Sequence, residues 1–333
     1  MSKNVYVFIE QRDGVVQKVS LELLGKASTL AKVLGQEVVA VLLGKGIAPI
    51  AQTLIGYGAN EAIYVDDEIL SVYVTEPYTK ALTQIIKDRG PEIFLYGATS
   101  IGRDLAPRVS ARIHTGLTAD CTSLEIDGGS NLLLMTRPAF GGNIMATIVC
   151  EEHRPQMATV RPGVFEPFVL DLKASGVVTE IKVDFTDADM NIKILEVVKE
   201  KKQAKDISDA KILISGGRGI GGAEGFEMLQ GLADAMGGEV SSSRACVDAG
   251  WILRDRQVGQ TGKTVRPECY IACGISGAIQ HLAGMEGSDY IIAINKNNTA
   301  PIFEASDLGI VGDVNVILPK LTAAVEKYKK EAL

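Results

Sequence analysis

Apolar and polar positions follow two periods along this chain, and the two take turns. Residues 5–10 alternate as a strand, 37–43 read as a buried strand, and 62–65 and 93–97 read as further strands. Between them, 20–34, 47–57 and 78–88 carry helical spacing, the first ending near Gly35 and the last closed by Gly90-Pro91. Strands alternating with helices predict a parallel sheet covered on both faces. Residues 102–113 predict another helix, interrupted by Pro107. From Cys121 the rhythm changes to strands joined by turns. Residues 124–127 and 132–136 flank Gly128-Gly129-Ser130, a hairpin signal, and 145–150 and 157–160 follow. The simplest account is an α/β domain finished by a small antiparallel segment.

Residues 171–210 are the candidate linker. Within them Lys199-Glu-Lys-Lys-Gln-Ala-Lys-Asp206 is charged and has no apolar face, the pattern of a solvated hinge. A second α/β rhythm then begins with a strand at 211–215. It continues through a helix at 223–236, strands near 239–242, 269–273, 290–294 and 309–312, and a terminal helix from about 315. A chain of 333 residues has the length for two cores. The expected fold class is therefore α/β in two domains: a nucleotide-binding-like domain over 1–207 and a Rossmann-like parallel-sheet domain over 208–333. The halves share architecture but no sequence repeat.

Composition narrows the function classes. With 46% hydrophobic and 23% charged residues the chain has an ordinary globular balance. The 41 acidic and 34 basic residues leave a formal charge of −7, and no basic block offsets it, which argues against nucleic-acid binding. No apolar run reaches the roughly 18 residues of a membrane span. The first ten residues look like a strand and lack the pattern of a secretory leader, so a cytoplasmic location is expected. Cysteines 121, 150, 246, 269 and 273 show no metal-ligand spacing and read as buried reduced thiols.

Candidate chemistry is densest from residue 243 to 295. This stretch holds Ser243-Arg244, then Val258-Gly259-Gln260-Thr261-Gly262-Lys263-Thr264, then Ile275-Ser276-Gly277-Ala278-Ile279-Gln280-His281. The strands at 269–273 and 290–294 bracket a short helix opening with Ser and Gly. Strand ends facing a helix N-terminus favour a phosphate, through unpaired N–H groups and the helix dipole. A hydroxyl, an amide, an imidazole and a guanidinium exceed what a phosphate needs; they suit a large polar ring carried on a dinucleotide.

Other motifs compete. Gly217-x-Gly219-x-x-Gly222 follows a strand and precedes a helix, as a dinucleotide fingerprint must. The next strand ends Ser241-Ser242-Ser243-Arg244 without the acidic residue that selects NAD, and Arg244 could meet a 2′-phosphate. An NADP-dependent oxidoreductase acting on a small molecule is thus the alternative reading, although no Tyr–Lys proton donor pair is visible. Gly262-Lys263-Thr264 imitates the end of a P-loop, but Gln257 stands where that motif needs Gly. His114 and His153 lack partners at ligand spacing and read as structural, whereas His281 lies inside the candidate site. No nucleophile–base–orienter trio supports hydrolysis. A third reading is a non-redox adenine-nucleotide binder using the first α/β domain, which would leave Gln260-Thr261 and Gln280-His281 without purpose.

The run Tyr270-Ile-Ala-Cys-Gly-Ile-Ser-Gly-Ala-Ile-Gln-His-Leu-Ala-Gly284, with Ile292-Ala-Ile-Asn295, closely resembles the signature of electron transfer flavoprotein alpha subunits. The Val-Gly-Gln-Thr-Gly-Lys block and the Gly-Gly-Arg-Gly turn at 216–219 are similar to the same family, and the resemblance covers essentially the whole chain. It implies FAD as cofactor and an electron carrier rather than an enzyme with its own substrate. His281 would face the flavin C2 carbonyl, Arg244 would lie against the isoalloxazine ring, and Gln260 and Thr261 would bond around N5 and O4. Ser276, Gly277, Ala278 and Ile279 would hold the ribityl–pyrophosphate part, with Gln280 beside it. Asn295, Asp313 and Val314 would hold the adenosine half, while Arg218 and Ser243 complete the shell with Val258 and Gly259. The bland reading of Val258, Ala278, Ile279 and Val314 is core packing with backbone contacts only. A cation or strong donor near N1 and the C2 carbonyl would stabilise a flavin radical anion and raise the potential.

The resemblance also implies a heterodimer with a homologous beta subunit and exchange of electrons with an acyl-CoA dehydrogenase or similar flavoenzyme, with electron bifurcation in some members. The arginines of Gly102-Arg103-Asp-Leu-Ala-Pro-Arg108, Thr136-Arg-Pro-Ala-Phe-Gly-Gly-Asn143, Arg154-Pro and Val160-Arg-Pro162 are expected at the beta-subunit interface.

Overall fold

The computed structural model describes residues 3–139, 144–190, 192, 194–198 and 206–331. The chain divides into two compact units, Met1–Val197 and Val198–Leu333. In the first, β1 (Val5–Ile9) leads through the small hairpin β2 (Gln11–Arg12) and β3 (Val15–Val16) to α1 (Lys18–Leu34). Then come β4 (Val38–Gly44), α2 (Ala48–Gly56), β5 (Glu61–Asp66), α3 (Thr75–Arg89), β6 (Ile93–Gly97), α4 (Ser100–Ile113) and β7 (Leu117–Cys121). β8 (Ser123–Ile126), β9 (Leu133–Ala139), β10 (Ile144–Ile148), β11 (Gln156–Val160) and β12 (Val177–Glu180) complete the unit.

Seven of these strands form one parallel sheet in the order β12-β5-β4-β1-β6-β11-β7. Every residue of β1, β4, β6 and β11 is buried, so these strands read as apolar runs rather than alternating ones. Alternation instead sorts side chains between two cores. Val5, Val7 and Ile9 pack with α1 and α2, while Tyr6 and Phe8 pack with α3 and α4. On the second face the rings of Tyr6, Phe94, Tyr96 and Phe8 follow one another with centroids 4.9 to 5.9 Å apart. Each such pair contributes roughly 0.5–1.5 kcal/mol beyond its burial.

Three expectations change. The stretch at 157–160 joins the parallel sheet as β11, and β7, which the pattern did not mark, pairs beside it. Only β8, β9 and β10 form the antiparallel segment. A short buried strand reads alike in either setting, so spacing could not assign it. Pro107 does not interrupt α4, which runs unbroken from Ser100 to Ile113. The proline lies on the exposed face, where water can serve the Arg103 carbonyl that it leaves without an amide. Part of the candidate linker is a sheet edge: Val177–Glu180 pairs with β5 as β12, and the Asp171 amide donates to the Gly56 carbonyl at 2.9 Å. Four half-exposed residues among charges and glycines carry too weak a period to be noticed. The charged run at 199–205 lies outside the described residues.

The second unit contains β13 (Ile212–Gly216), α5 (Gly225–Met236), β14 (Glu239–Ser242), α6 (Arg244–Asp248) and β15 (Cys269–Cys273). α7 (Ile279–Leu282), β16 (Ile291–Asn295), β17 (Leu308–Val311) and α8 (Val314–Glu331) follow. Its parallel sheet has the order β14-β13-β15-β16-β17, with one core on each face. The winding reverses between β13 and β15, and such a switch point opens a crevice at the carboxyl ends of the strands.

The first unit has its own switch point between β1 and β6, but a side chain fills it. Glu10, only 2% exposed, accepts from Arg12 Nη2 at 2.8 Å and from the Thr99 hydroxyl, while Thr99 caps α4 by accepting from the Gly102 amide at 3.0 Å. A carboxylate therefore sits where a nucleotide phosphate would enter, which counts against the adenine-nucleotide reading of this unit.

Gly102 closes this corner: a Cβ there would lie 1.8 Å from the Gly97 carbonyl oxygen. Gly102→Ala is expected to lower stability by about 3 kcal/mol in urea denaturation. Gly128→Ala, whose Cβ would meet nothing within 4 Å, is expected to stay within about 0.5 kcal/mol of the native chain.

Candidate functional site

The switch point of the second unit is built by glycines. The Gly217 amide donates to the Cys273 carbonyl at 2.9 Å, and the Gly219 amide to Gly274 at 3.0 Å. A Cβ on Gly217 would stand 2.4 Å from the Gly274 oxygen, and one on Gly219 would stand 2.7 Å from the Gly274 Cα. The turns after β13 and β15 thus meet backbone to backbone. Arg218 is left on the exposed rim of a single 3₁₀ turn. α5 starts only at Gly225, and nothing lies within 4 Å of a Cβ on Gly222. The Gly-x-Gly-x-x-Gly spacing consequently builds a turn packed on β15, without the third-glycine contact of a dinucleotide fingerprint.

At the end of β14, the Ser243 amide donates to the Gly216 carbonyl at 2.9 Å, and the residue opens the short helix α6. Arg244 follows in solvent, its Nε 3.2 Å from Asp248 Oδ2. An exposed pair of this kind is weak, so the guanidinium can turn to another anion or ring. Residues 257–264 form a tight loop tied to β14 by the Val258 amide on the Ser242 carbonyl at 2.9 Å. Gly259 donates to Lys263 at 3.1 Å, and Lys263 donates back to Gln257 at 2.8 Å. Gln257, buried, gives its Nε2 to Thr261 Oγ1 at 3.0 Å. This leaves Gln260 and Thr261 exposed at the tip, where the Gln260 amide donates to the Gln280 carbonyl at 2.7 Å. Lys263 Nζ is held by Asp206 Oδ1 at 2.7 Å and cannot serve as a P-loop lysine. Burial pushes the Asp206 carboxyl up, but the Lys263 ammonium and the Ser208 amide hold it down to about 2.

The segment after β15 carries the candidate anion cradle. Gly277 has φ +87, and a Cβ there would stand 2.1 Å from the Ile302 nitrogen. Ile302 donates its amide to the Ser276 carbonyl at 3.1 Å, and Asn295 Nδ2 donates to the Ile275 carbonyl at 2.8 Å. Among the described residues, the amides of Ile275, Ser276, Gly277 and Ala278 donate to no protein acceptor. α7 is a single turn, shorter than the pattern implied, so its dipole adds little and these amides are the donors for a phosphate. Ser276, Ala278, Ile279 and Gln280 are exposed. Core packing thus describes Val258 and Val314, which are buried, but not Ala278 and Ile279. Asp313 caps α8 by accepting from the Asn315 amide at 2.9 Å and pairs with Lys296 at 2.9 Å. The Gly312 amide joins it to the Asn295 carbonyl at 2.9 Å.

His281 is buried, and its Nε2 lies 2.9 Å from the Tyr270 hydroxyl. Loss of water pulls the imidazole down to about 4, so it is neutral near pH 7. The standing positive charges among the candidate residues are therefore Arg218 and Arg244, with His281 a neutral hydrogen-bonding group. Tyr270, Gln257 and Gly284 were not anticipated as site residues. Tyr270 carried one legible signal, a hydroxyl inside a strand otherwise apolar enough to be buried, which must find a partner.

Elsewhere, His114 closes α4 in the left-handed region at φ 57, and His153 is exposed. Cys121 and Cys273 are buried free thiols pushed up to about 12 by desolvation, hence inert. No cluster able to hold a metal occurs among the described residues, and none of their helices is long and apolar enough to cross a membrane. The arginines expected at an interface are mostly engaged within the chain. Arg103 and Arg161 pair with Asp120, Arg108 with Glu76, and Arg154 with Glu92. Residues 140–143 of that group lie outside the described residues.

Comparison with known proteins places these features. The electron transfer flavoprotein domain matches residues 5–186, and the electron transfer flavoprotein FAD-binding domain matches 206–286. The chain is 55% identical over 326 residues to an electron transfer flavoprotein subunit alpha of Clostridium acetobutylicum, covering 97% of each. The corresponding subunit of Thermoanaerobacterium thermosaccharolyticum is 53% identical over 327 residues, 98% of this chain and 99% of that protein. The acryloyl-CoA reductase electron transfer subunit beta of Anaerotignum propionicum is 44% identical over 354 residues, 98% of this chain and 96% of that protein. The NADP-dependent reading is not favoured by these likenesses.

A Cβ on Gly284 would stand 2.4 Å from the Gly259 nitrogen. Gly284→Ala should part the 257–264 loop from α7 and weaken FAD retention more than about tenfold by fluorescence titration. Gly231→Ala, in open space on α5, should leave it unchanged. The lowered pKa of His281 sets a further expectation. The unfolded chain binds the extra proton first, so this contribution is complete above the ordinary histidine value of about 6.5 and is lost as pH falls toward 4. His281→Gln should flatten stability against pH in that window, as read from urea midpoints.

Proposed function

This chain belongs to the electron transfer flavoprotein alpha-subunit family, and from that membership we propose how its own residues serve the cofactor and the partner. The cofactor is FAD, and the function is flavin-linked electron transfer. The observation that carries the proposal is convergence at the carboxyl ends of one sheet: exposed Arg244, Gln260, Thr261, Ser276 and Gln280 beside four amides that are unpaired among the described residues. Those groups fit a dinucleotide with a polar ring. The amides of Ser276, Gly277 and Ala278 hold the pyrophosphate with Ile279 beside them, and Asn295 and Asp313, with the Val314 backbone, hold the adenosine half. Arg244 lies against the ring, Gln260 and Thr261 take the N5 and O4 edge, and His281 takes the C2 carbonyl. Arg218 and Ser243 close the rim. FAD supplies the one-electron chemistry; the protein binds it, orients it and sets the local charge.

Residues 208–333 are the FAD-binding domain in this reading, and 1–207 dock a homologous beta subunit. Ile144 and Ile148 on one face of the edge strand β10 are exposed, as is Met145 on the other, an apolar edge strip that suits a covering partner. With the arginines largely paired internally, this strip carries the interface reading better than they do. Glu10 in the first switch point leaves this chain with one flavin site, so any second flavin of a bifurcating complex belongs to the partner. The redox partner is an acyl-CoA dehydrogenase or a similar flavoenzyme, and the complex works in the cytoplasm.

The chain co-expressed with its beta subunit is expected to be yellow and to pass through a one-electron-reduced spectrum during stepwise anaerobic reduction. Arg244→Ala should keep FAD but shift the first reduction step negative by about 60 mV, tenfold in a one-electron equilibrium. A colourless complex that takes up no FAD would overturn the reading.

A further inference from the structure

The loop at 257–264 is folded around its own first residue. Gln257 is only 4% exposed. Its amide donates to the Arg254 carbonyl at 3.1 Å, and its carbonyl accepts from the Lys263 amide at 2.8 Å, which closes the loop over it. Gly262 permits that closure, since a Cβ there would stand 2.4 Å from the Gln257 carbonyl oxygen and 2.9 Å from its Cγ. The two shoulders of the loop are fixed separately. Arg256 Nη1 lies 3.0 Å from Glu239 Oε2 and 3.3 Å from the Val240 carbonyl, and Lys263 Nζ lies 2.7 Å from Asp206 Oδ1. Held in this way, the buried Gln257 side chain reaches the exposed tip: its Nε2 lies 3.0 Å from Thr261 Oγ1.

That contact has a direction. An amide nitrogen donates, so it takes a lone pair of the hydroxyl oxygen and leaves the hydroxyl proton uncommitted. Among the described residues, Thr261 Oγ1 donates to no protein acceptor. We propose that Gln257 is a positioning residue, which holds the Thr261 hydroxyl from inside the fold so that it is a donor toward the edge of the bound ring. The inference rests on the FAD site proposed above and extends it to a buried side chain that carries no contact of its own in that reading. Without the amide the hydroxyl oxygen loses its anchor, its proton turns freely, and its bond to the flavin edge is made only part of the time.

The test uses the FAD-loaded complex with the beta subunit and reads the flavin C4=O and C4a=N5 stretches by Raman difference spectroscopy. Subtracting the Thr261→Val complex from the native one isolates the bands that feel this hydroxyl, because that substitution lies in this chain alone. Gln257→Met, close in length and apolar, should move those bands toward their Thr261→Val positions. It should also weaken FAD retention by about 3–10-fold and shift the first reduction step negative. In a Thr261→Val background, Gln257→Met should move neither the bands nor the potential further. Native bands and potential in Gln257→Met overturn the proposal. So does an equal shift with and without the Thr261 hydroxyl, which marks a packing role. If Gln257→Met does not fold, Gln257→Glu at pH 9 decides: its carboxylate only accepts, so it should draw the Thr261 proton inward and reproduce the Thr261→Val bands, whereas native bands overturn the proposal. A native complex that holds no FAD overturns the functional reading itself. One that holds FAD with bands indifferent to Thr261→Val overturns the Thr261 contact and this inference with it, leaving the cofactor in place.

Discussion

The approach of the turns after β13 and β15, closer than any side chain permits, is the contact on which the rest of the second unit depends. Gly217, Gly219 and Gly274 bring two backbones together, so the β13 turn leaves Arg218 on the rim and the β15 turn leads into 275–278, whose amides meet no protein acceptor among the described residues. From there each element is tied to the next by one amide. Ser243 reaches Gly216, Val258 reaches Ser242, Gln260 reaches Gln280, and Ile302 reaches Ser276. Each bond alone is worth about 1 kcal/mol, but together they hold five loops at one sheet edge. Side chains for binding can then be exposed because the backbone that carries them is already satisfied.

Electrostatics at this edge separate into two kinds of group. Arg244 is exposed and held by only one weak partner, so its charge is adjustable in position but not in sign. His281 is the reverse, fixed in place by burial and by Tyr270 and neutral because burial removes water from its cation. A fixed neutral group and a mobile cation thus stand at the same edge, one held by burial and one free to turn.

The two parallel sheets share winding and burial yet present opposite crevices. In the first, Glu10 reaches across from the end of β1 to the cap of α4 and fills the switch point with a carboxylate. In the second, β13 ends at Gly216, and Gly217 carries the chain out of it with no side chain of its own. A single acidic residue at the end of the first strand thus fills one switch point with a carboxylate.

Much of this was legible in the chain. Apolar runs and their spacing named most strands and helices of both parallel sheets, because burial on both faces leaves a pattern that does not depend on neighbours. The cluster from Ser243 to Asn295 was also visible, since glycines beside polar residues after apolar strands are rare outside binding turns. Where the pattern failed, the deciding term was non-local. β7 and β11 joined the parallel sheet because β6 had a free edge, β12 formed because β5 did, and Pro107 was tolerated because its face of α4 meets water. His281 shows the limit most clearly. Its position in the motif is local information, but its neutrality and its bond to Tyr270 come from desolvation and from a strand eleven residues away. The order of residues determined which groups could reach the site; only packing decided which were charged, which were exposed, and which nitrogen had a partner. Those properties depend on water excluded by the whole fold.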